Sequence, residues 1–132
     1  MADGPIGPGI VVCIDVGDRH IGVARTAGGV GAAFPAGSID MGTPAATAAA
    51  VVDRVVAEQA DCLVVGLPLG LDGQDSVQTR KVRRFTGFIR KELAARGLNR
   101  RIRVELVDER LSSVAVGRAA ISEGKSASAG RE

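Results

Sequence analysis

The most constraining feature of the sequence is a short apolar run over residues 9–17 that contains a single carboxylate, Asp15. The run is rich in β-branched residues and too short for a typical helix, so it predicts a buried strand. Because an unpaired charge inside such a strand would be costly, Asp15 is expected to be paired, to bind a metal ion or to lie at an exposed sheet edge.

The remainder of the chain predicts further strands and helices. The elements expected after the first strand are antiparallel strands over 20–25 and 30–39, a helix over 44–60, a strand over 61–66, a helix over 76–96 and a strand over 101–107. Thr43 and Pro44 fit the start of the first helix, and Gly97 fits the end of the second. We therefore expect an α/β fold with a mixed five-stranded sheet (three antiparallel strands, then two parallel) and helices on both faces. Right-handed crossovers place the two later strands beside the first strand and beyond it.

The length of 132 residues fits one domain. We expect a flexible N-terminus over 1–8, a folded domain over 9–121 that ends in a third helix, and a disordered polar tail over 122–132. No apolar run approaches the length needed to cross a bilayer. Cys13 and Cys62 lie in apolar runs, which predicts buried thiols in a reducing compartment, with no disulfide, and therefore a cytoplasmic protein.

The cations are distributed very unevenly along the chain. Residues 1–79 contain 3 basic and 9 acidic side chains, whereas residues 80–110 contain 11 basic and 4 acidic ones. This basic segment is a candidate surface for a polyanion, and the alternative is a solvated helix face without a partner. Aromatic residues make up only 2% of the chain, which excludes a face of stacked aromatics that binds bases. The candidate phosphate-binding residues are Arg80, Lys81, Arg83, Arg84, Lys91 and Arg110.

Several carboxylates could meet at one end of the predicted sheet. Asp15 is the strongest candidate metal ligand, Asp108 and Glu109 end the last strand, and Asp72 on a loop is a weaker candidate. Carboxylate oxygens suit Mg²⁺ or Mn²⁺, which can activate a water against a phosphodiester. Alternation along a strand would bring only one of Asp108 and Glu109 to the site. The alternatives are that Asp15 satisfies backbone donors of a turn and that Asp108 and Glu109 pair with nearby arginines.

Other kinds of site find little support. His20 is the only histidine and is expected at the surface, so a Ser/His/Asp triad has no histidine pattern behind it. The two cysteines lack the spacing of zinc ligands. Neither the strand–GxGxxG–helix motif nor a Walker motif occurs.

Three segments resemble the bacterial YqgF family, also called RuvX-like. They are IDVGDRHIGVA over 14–24, VVGLPLGLDG over 64–73 and VDERLSS over 107–113, and the likeness extends into the basic helix at 79–85. The resemblance covers about residues 9–121. It implies a ribonuclease H-like fold and a metal-dependent nuclease that trims the 5′ end of precursor 16S rRNA, with Holliday junction cleavage as the alternative. The implied partners are structured RNA in ribosomal precursor particles, or branched DNA.

The resemblance also implies roles for individual residues. Asp15 corresponds to the metal-binding acid of the first strand, Asp108 and Glu109 to the acidic motif after the last strand, and Gly66, Leu67 and Pro68 to a loop that shapes the substrate side of the site. Family members usually carry a further acid in an Asp-x-x-x-Ala motif. Here Glu123-Gly-Lys125 begins the corresponding turn, but the motif does not follow. The ligand could come from a nearby residue or from a second subunit in a homodimer, or the chain could be truncated and weakly active.

Two other functions remain open on the sequence. A nucleic-acid-binding module without catalysis would explain the basic segment and the missing acid. An ATPase like the sugar kinases and actin would explain Asp15 before a hairpin, but it requires a second phosphate loop and a second domain.

Overall fold

The computed structural model of the protein describes residues 9–26, 33–70 and 72–108. Five strands and two helices are described, in the order β1 (Val11–Val16), β2 (His20–Thr26), β3 (Ala33–Asp40), α1 (Pro44–Ala57), β4 (Cys62–Leu67), α2 (Val77–Ala95) and β5 (Arg103–Asp108). Each predicted strand and helix in these ranges is present, with ends that differ by a few residues. The predicted start of β3 before residue 33, the N-terminus 1–8, the third helix and the tail 122–132 lie outside the described residues.

The strands form one sheet in the order β3-β2-β1-β4-β5. β1 is antiparallel to β2 and parallel to β4, and β4 is parallel to β5, as the crossover rule predicts. The three parallel strands therefore end at the same side of the sheet. We call the side at which β1, β4 and β5 end the carboxyl edge and the opposite side the amino edge.

Local capping fixes the ends of both helices. The Thr43 hydroxyl accepts a hydrogen bond from the Ala46 amide at 3.2 Å, and Pro44 occupies the first turn of α1. Ser76 and Thr79 form a reciprocal capping box at the start of α2. Gly97 has a φ of 71°, so a residue in the left-handed region follows the end of α2, as expected.

The two described helices both pack against one face of the sheet, so the predicted helices on both faces are not found within the residues that the structure describes. Alternate residues of β1, such as Val12 and Ile14, are buried with Val65 of β4, Val51 of α1 and Ile89 of α2 in one hydrophobic cluster. We call this the covered face. The other residues of β1, Val11, Cys13 and Asp15, point to the opposite side, which we call the open face.

Neither described helix is long and apolar enough to cross a membrane. The two cysteines do not form a disulfide: Cys62 is buried, as predicted, whereas Cys13 is only half-buried. This agrees with the prediction that they do not form a disulfide.

Candidate active site at the carboxyl edge

Asp15 is the penultimate residue of β1, and its side chain is exposed on the open face. The residues on either side of it, Ile14 and Val16, point to the covered face and are buried. The apolar run in the sequence therefore does not bury Asp15, because only every second residue of the strand faces the core. The side chain is exposed, but it lies in the central strand and not at a sheet edge, because the order of strands places β2 and β4 on either side of β1.

The strands beside Asp15 carry glycine next to it. Gly22 of β2 is its antiparallel partner, and a Cβ atom added there would lie 4.0 Å from the Asp15 Cβ. On the other side, Ile14 pairs with Val65 of β4, so Gly66 follows at the level of Asp15. Because both neighbours are glycines, no side chain from these two positions lies beside the Asp15 carboxylate.

Asp108 also lies at the carboxyl edge, but its position in β5 is on the covered face and not on the open face. Cys13, Val64 and Glu105 occupy one row of the sheet and therefore share the open face. Asp108 lies three residues beyond Glu105, opposite Leu67, so alternation places it on the covered face, where it is half-buried. Glu109, the other half of the predicted acidic pair, lies outside the described residues.

The first turn of α2 is tied to the carboxyl edge by two side chains. The Gln78 amide donates to the carbonyl oxygen of Val16 at 3.3 Å, and the Thr79 hydroxyl donates to that of Pro68 at 2.5 Å. These contacts fix the N-terminus of α2 against the ends of β1 and β4. The sequence analysis did not single out either residue, although the Ser76-x-x-Thr79 spacing is a recognisable capping signal.

The segment that follows β4 is held by its own hydrogen bonds. Gly66 and Leu67 are buried and belong to β4, which extends one residue further than predicted, and Pro68 follows half-buried. The Asp72 carboxylate accepts a hydrogen bond from the Gln74 amide at 3.0 Å, and the Gly70 amide donates to the Gln74 carbonyl at 2.9 Å. Asp72 thus has a local structural contact within this loop.

The predicted phosphate-binding cations of α2 are all exposed. Lys81 lies 3.6 Å from Asp18, in the turn after β1, and Arg83 forms two hydrogen bonds with Asp75 at 3.2 and 3.3 Å. The remaining predicted cations of this helix are Arg80, Arg84 and Lys91. They form no ion pair with any residue that the structure describes. Arg110 lies outside the described ranges.

His20 lies at the surface, as expected. Its Nδ1 is 3.1 Å from the Asp40 carboxylate, and both side chains are exposed. Since His20 and Gly22 alternate to the same side of β2, His20 shares the open face with Asp15. It is a polar neighbour of the candidate site that the sequence alone did not assign there.

The type of ligand present at this position suits a hard divalent cation. Asp15 supplies carboxylate oxygens, the ligands that Mg²⁺ and Mn²⁺ prefer, on an accessible surface. Over residues 9–26, 33–70 and 72–108, no group of three or more His, Cys, Asp or Glu side chains is close enough to hold a metal ion. Among the described residues, Asp15 is the carboxylate on the open face at this edge.

Comparison with known proteins identifies relatives that match most of the chain. The family model described as RuvX, Holliday junction resolvase, matches residues 9–132. A protein of Maridesulfovibrio salexigens is 36% identical over 105 residues, which are 80% of this chain and 73% of the relative. One of Acidiphilium cryptum is 34% identical over 111 residues, which are 84% of this chain and 66% of the relative. Both are named "Putative pre-16S rRNA nuclease".

Solved structures show a similar fold at low sequence identity. The Fowlpox virus resolvase in complex with substrate Holliday junction DNA matches with a TM-score of 0.50 and 12% identity, covering 86% of this chain and 76% of the viral one. Archaeoglobus fulgidus Pelota matches with a TM-score of 0.50 and 12% identity, covering 89% of this chain and 36% of Pelota. Together with the mixed sheet, the likeness to the resolvase confirms the predicted ribonuclease H-like fold.

The chain spans 66% to 73% of the length of these two named relatives. The family match covers both the strand that carries Asp15 and the basic helix α2. It confirms the resemblance seen in the three sequence motifs. The chain therefore belongs to the RuvX family of Holliday junction resolvases, a family of nucleases.

Proposed function

We propose that the protein is a metal-dependent nuclease that hydrolyses phosphodiester bonds in structured nucleic acid, with 5′-end processing of precursor 16S rRNA in the cytoplasm as its role. The observation that carries the proposal is the setting of Asp15. Its carboxylate is exposed at the end of the central strand, between two glycines, and the cationic helix α2 is tied to the same edge.

The carboxylates define where a metal ion would be held. Asp15 would hold Mg²⁺ or Mn²⁺ together with Glu109 or Asp108, and the bound ion supplies an activated water and charge stabilisation at the phosphate. Asp15 itself orients the ion relative to the open face. The register favours Glu109 as its partner, since Asp108 starts from the covered face.

The exposed cations of α2 would hold the nucleic acid next to this site. Arg80, Arg84 and Lys91 are exposed and form no ion pair within the described ranges, so phosphates need not displace a carboxylate from them. Lys81 and Arg83 are in exposed ion pairs, which contribute only about 0–1 kcal/mol and can exchange for phosphate contacts. The predicted role of Arg110 is similar.

The choice of substrate follows the relatives and is open to a direct test. The names of the curated relatives favour precursor 16S rRNA, whereas the description of the family model favours branched DNA. A protein that tells RNA from DNA must contact the 2′-hydroxyl. Cleavage of a 5′-extended 16S rRNA fragment and of a four-way DNA junction of matched sequence separates these two substrates.

The central experiment replaces Asp15 with asparagine, which keeps the shape of the side chain and removes its charge. We expect Asp15→Asn to lower the Mn²⁺-dependent cleavage rate by more than about 100-fold, which exceeds the usual effect of losing a supporting partner of a metal ligand. Calorimetry should show weaker Mn²⁺ binding. The thermal unfolding midpoint and RNA binding should be retained because the side chain is exposed.

Asp53→Asn is the matched control, because Asp53 is an exposed acid of α1 whose ion-pair partner is Arg96. It should leave both cleavage and Mn²⁺ binding unchanged. Unaltered cleavage by Asp15→Asn would refute the assignment of the site. Salt-dependent RNA binding without Mn²⁺-dependent cleavage by the unmodified protein would instead identify a binding module without catalysis.

A further inference from the structure

A second group of cations lies at the amino edge of the sheet, where α2 is joined to β5. Arg100 and Arg101 occupy the turn before β5, and Arg103 is the first residue of the strand. The turn is firmly held: the Leu98 carbonyl accepts hydrogen bonds at 3.0 Å from the Arg101 amide and from that of Ile102, whose side chain is buried in the core. The arginines are therefore displayed from fixed backbone.

These three side chains line one depression with a volume of about 520 Å³. Val11 and Cys62 contribute to its wall, and Asp61 is the one carboxylate in the lining. Arg100 and Arg101 form no ion pair with any described residue, and Arg103 lies 3.8 Å from Glu105 in an exposed pair. Three guanidinium groups thus line one surface beside two carboxylates, which leaves an excess of positive charge.

Cys62, which lies beside Arg103, adds no negative charge to the depression. Burial raises the pKa of the Cys62 thiol above its ordinary value, so the thiol stays protonated and neutral near pH 7. The positive charge of Arg103 is therefore not offset by a thiolate.

The strand register relates the arginine depression to the candidate active site. Val11, Cys62 and Arg103 form one row across β1, β4 and β5, and this row shares the open face with Asp15. Val11, in the wall of the depression, lies four positions before Asp15 in β1, which corresponds to about 13 Å along the strand. A helical nucleic-acid strand advances about 3.4 Å per nucleotide, so the wall of the depression nearest to Asp15 lies roughly four nucleotides from it.

We propose that Arg100, Arg101 and Arg103 form a second phosphate-binding surface, which holds the backbone of the nucleic acid about four nucleotides from the bond that is cut. The position relative to the cut rests on the proposed nuclease function, whereas the binding surface itself does not. The ligand is a run of consecutive phosphates, because three guanidinium groups that extend from one held stretch of backbone suit several phosphodiesters.

The test uses the double variant Arg100→Gln/Arg101→Gln in the full chain. Binding to a fluorescent RNA duplex of about 20 base pairs and to the matching DNA duplex is measured over a range of salt concentrations. We expect Kd to rise roughly tenfold or more at 0.15 M salt, and the slope of log Kd against log salt to fall by about 2, as two phosphate contacts are lost. An effect on only one duplex would identify the preferred nucleic acid.

The matched control must lower the net charge by the same amount as the arginine variant, but at positions far from the arginine depression. Phe34→Glu/Val56→Glu does so at two exposed positions, 50% and 46% accessible, on β3 and α1. β3 lies at the opposite side of the sheet from β5. This control should leave the salt dependence close to that of the unmodified protein. An equal loss of binding in the control, or no loss in the arginine variant, would overturn the second surface.

Substrate length separates this proposal from the nuclease proposal. The arginine variant should slow cleavage at subsaturating concentrations only for substrates that extend about four or more nucleotides from the cut, with the rate at saturation unchanged. Equal slowing of shorter substrates would contradict the position of the surface. If Asp15→Asn leaves cleavage intact while the arginine variant weakens binding, the nuclease assignment fails and the phosphate surface stands.

Discussion

The two faces of the sheet use the same strands for different purposes. On the covered face, Val12, Ile14 and Val65 are almost completely inaccessible and pack against both helices. On the open face, adjacent positions of the same strands carry an exposed carboxylate, a glycine beside it and, at the amino edge, an arginine. The alternation of a strand lets one short apolar run contribute to the core and also present a charged group.

The comparison also explains how the candidate site is kept in place. A strand whose covered face is fully buried cannot shift its register without exposing its apolar residues. Asp15 therefore gains a fixed position from Ile14 and Val16, which are buried on either side of it. The hydrophobic face secures the geometry, and the open face supplies the chemistry.

The sharpest test of the comparison uses two adjacent valines of β1. Val12 is 1% exposed on the covered face, whereas Val11 is half-buried on the open face. We expect Val12→Ala to lower the free energy of unfolding by about 2–3 kcal/mol, through lost burial and a residual cavity, and Val11→Ala to lower it by less than about 1 kcal/mol. Chemical denaturation measures both. Equal losses would mean that the two faces are packed alike.

The contrast extends to α2, in which two buried threonines have different roles. The Thr79 hydroxyl donates to the Pro68 carbonyl across the carboxyl edge, whereas the Thr86 hydroxyl donates to the Val82 carbonyl within the helix at 2.8 Å. Thr79→Val should therefore cost about 1–2 kcal/mol, because it leaves the Pro68 carbonyl without this donor. Thr86→Val should be nearly neutral, because the helix backbone still satisfies Val82. If urea denaturation showed a larger loss of unfolding free energy for Thr86→Val than for Thr79→Val, the contact of Thr79 with Pro68 would not be the more important of the two.

The smallest expected effect concerns two glycines at the exposed side and the end of α2. A Cβ atom added at Gly87 would meet no atom within 4 Å, so Gly87→Ala should raise the free energy of unfolding by about 0.5–1 kcal/mol through helix propensity. Gly97→Ala should lower it by about 1 kcal/mol, because φ is 71° there. Thermal unfolding of both variants gives the signs. A destabilising Gly87→Ala would reveal a contact on the outer face of α2.

Local sequence signals were enough to predict most elements of the fold. Thr43 and Gly97 lie at the helix ends where the capping side chain and the conformational freedom of glycine predicted them. The parallel placement of β4 and β5 followed from the handedness of crossovers. The exposed positions of Arg80 and Arg84 followed from the helical period.

Local sequence signals predicted less of the candidate site than of the fold. Alternation predicts that only one of Asp108 and Glu109 reaches the site, but only the register shows that Asp108 lies on the face opposite to Asp15. The contact of Thr79 with Pro68 and the shared depression of Arg101 and Val11 depend on residues distant in the chain. No periodic pattern within one segment encodes such neighbours.

The amino-acid sequence by itself determined the identity and order of the elements, the apolar stripe of α2, the excess of cations after residue 79 and the family to which the chain belongs. The tertiary structure alone decided that Asp15 is exposed between two glycines, and that the arginines before and within β5 share its face of the sheet. The physical reason is that side-chain period and capping are local properties, whereas a strand's register against its neighbours is set by the packing of the whole core.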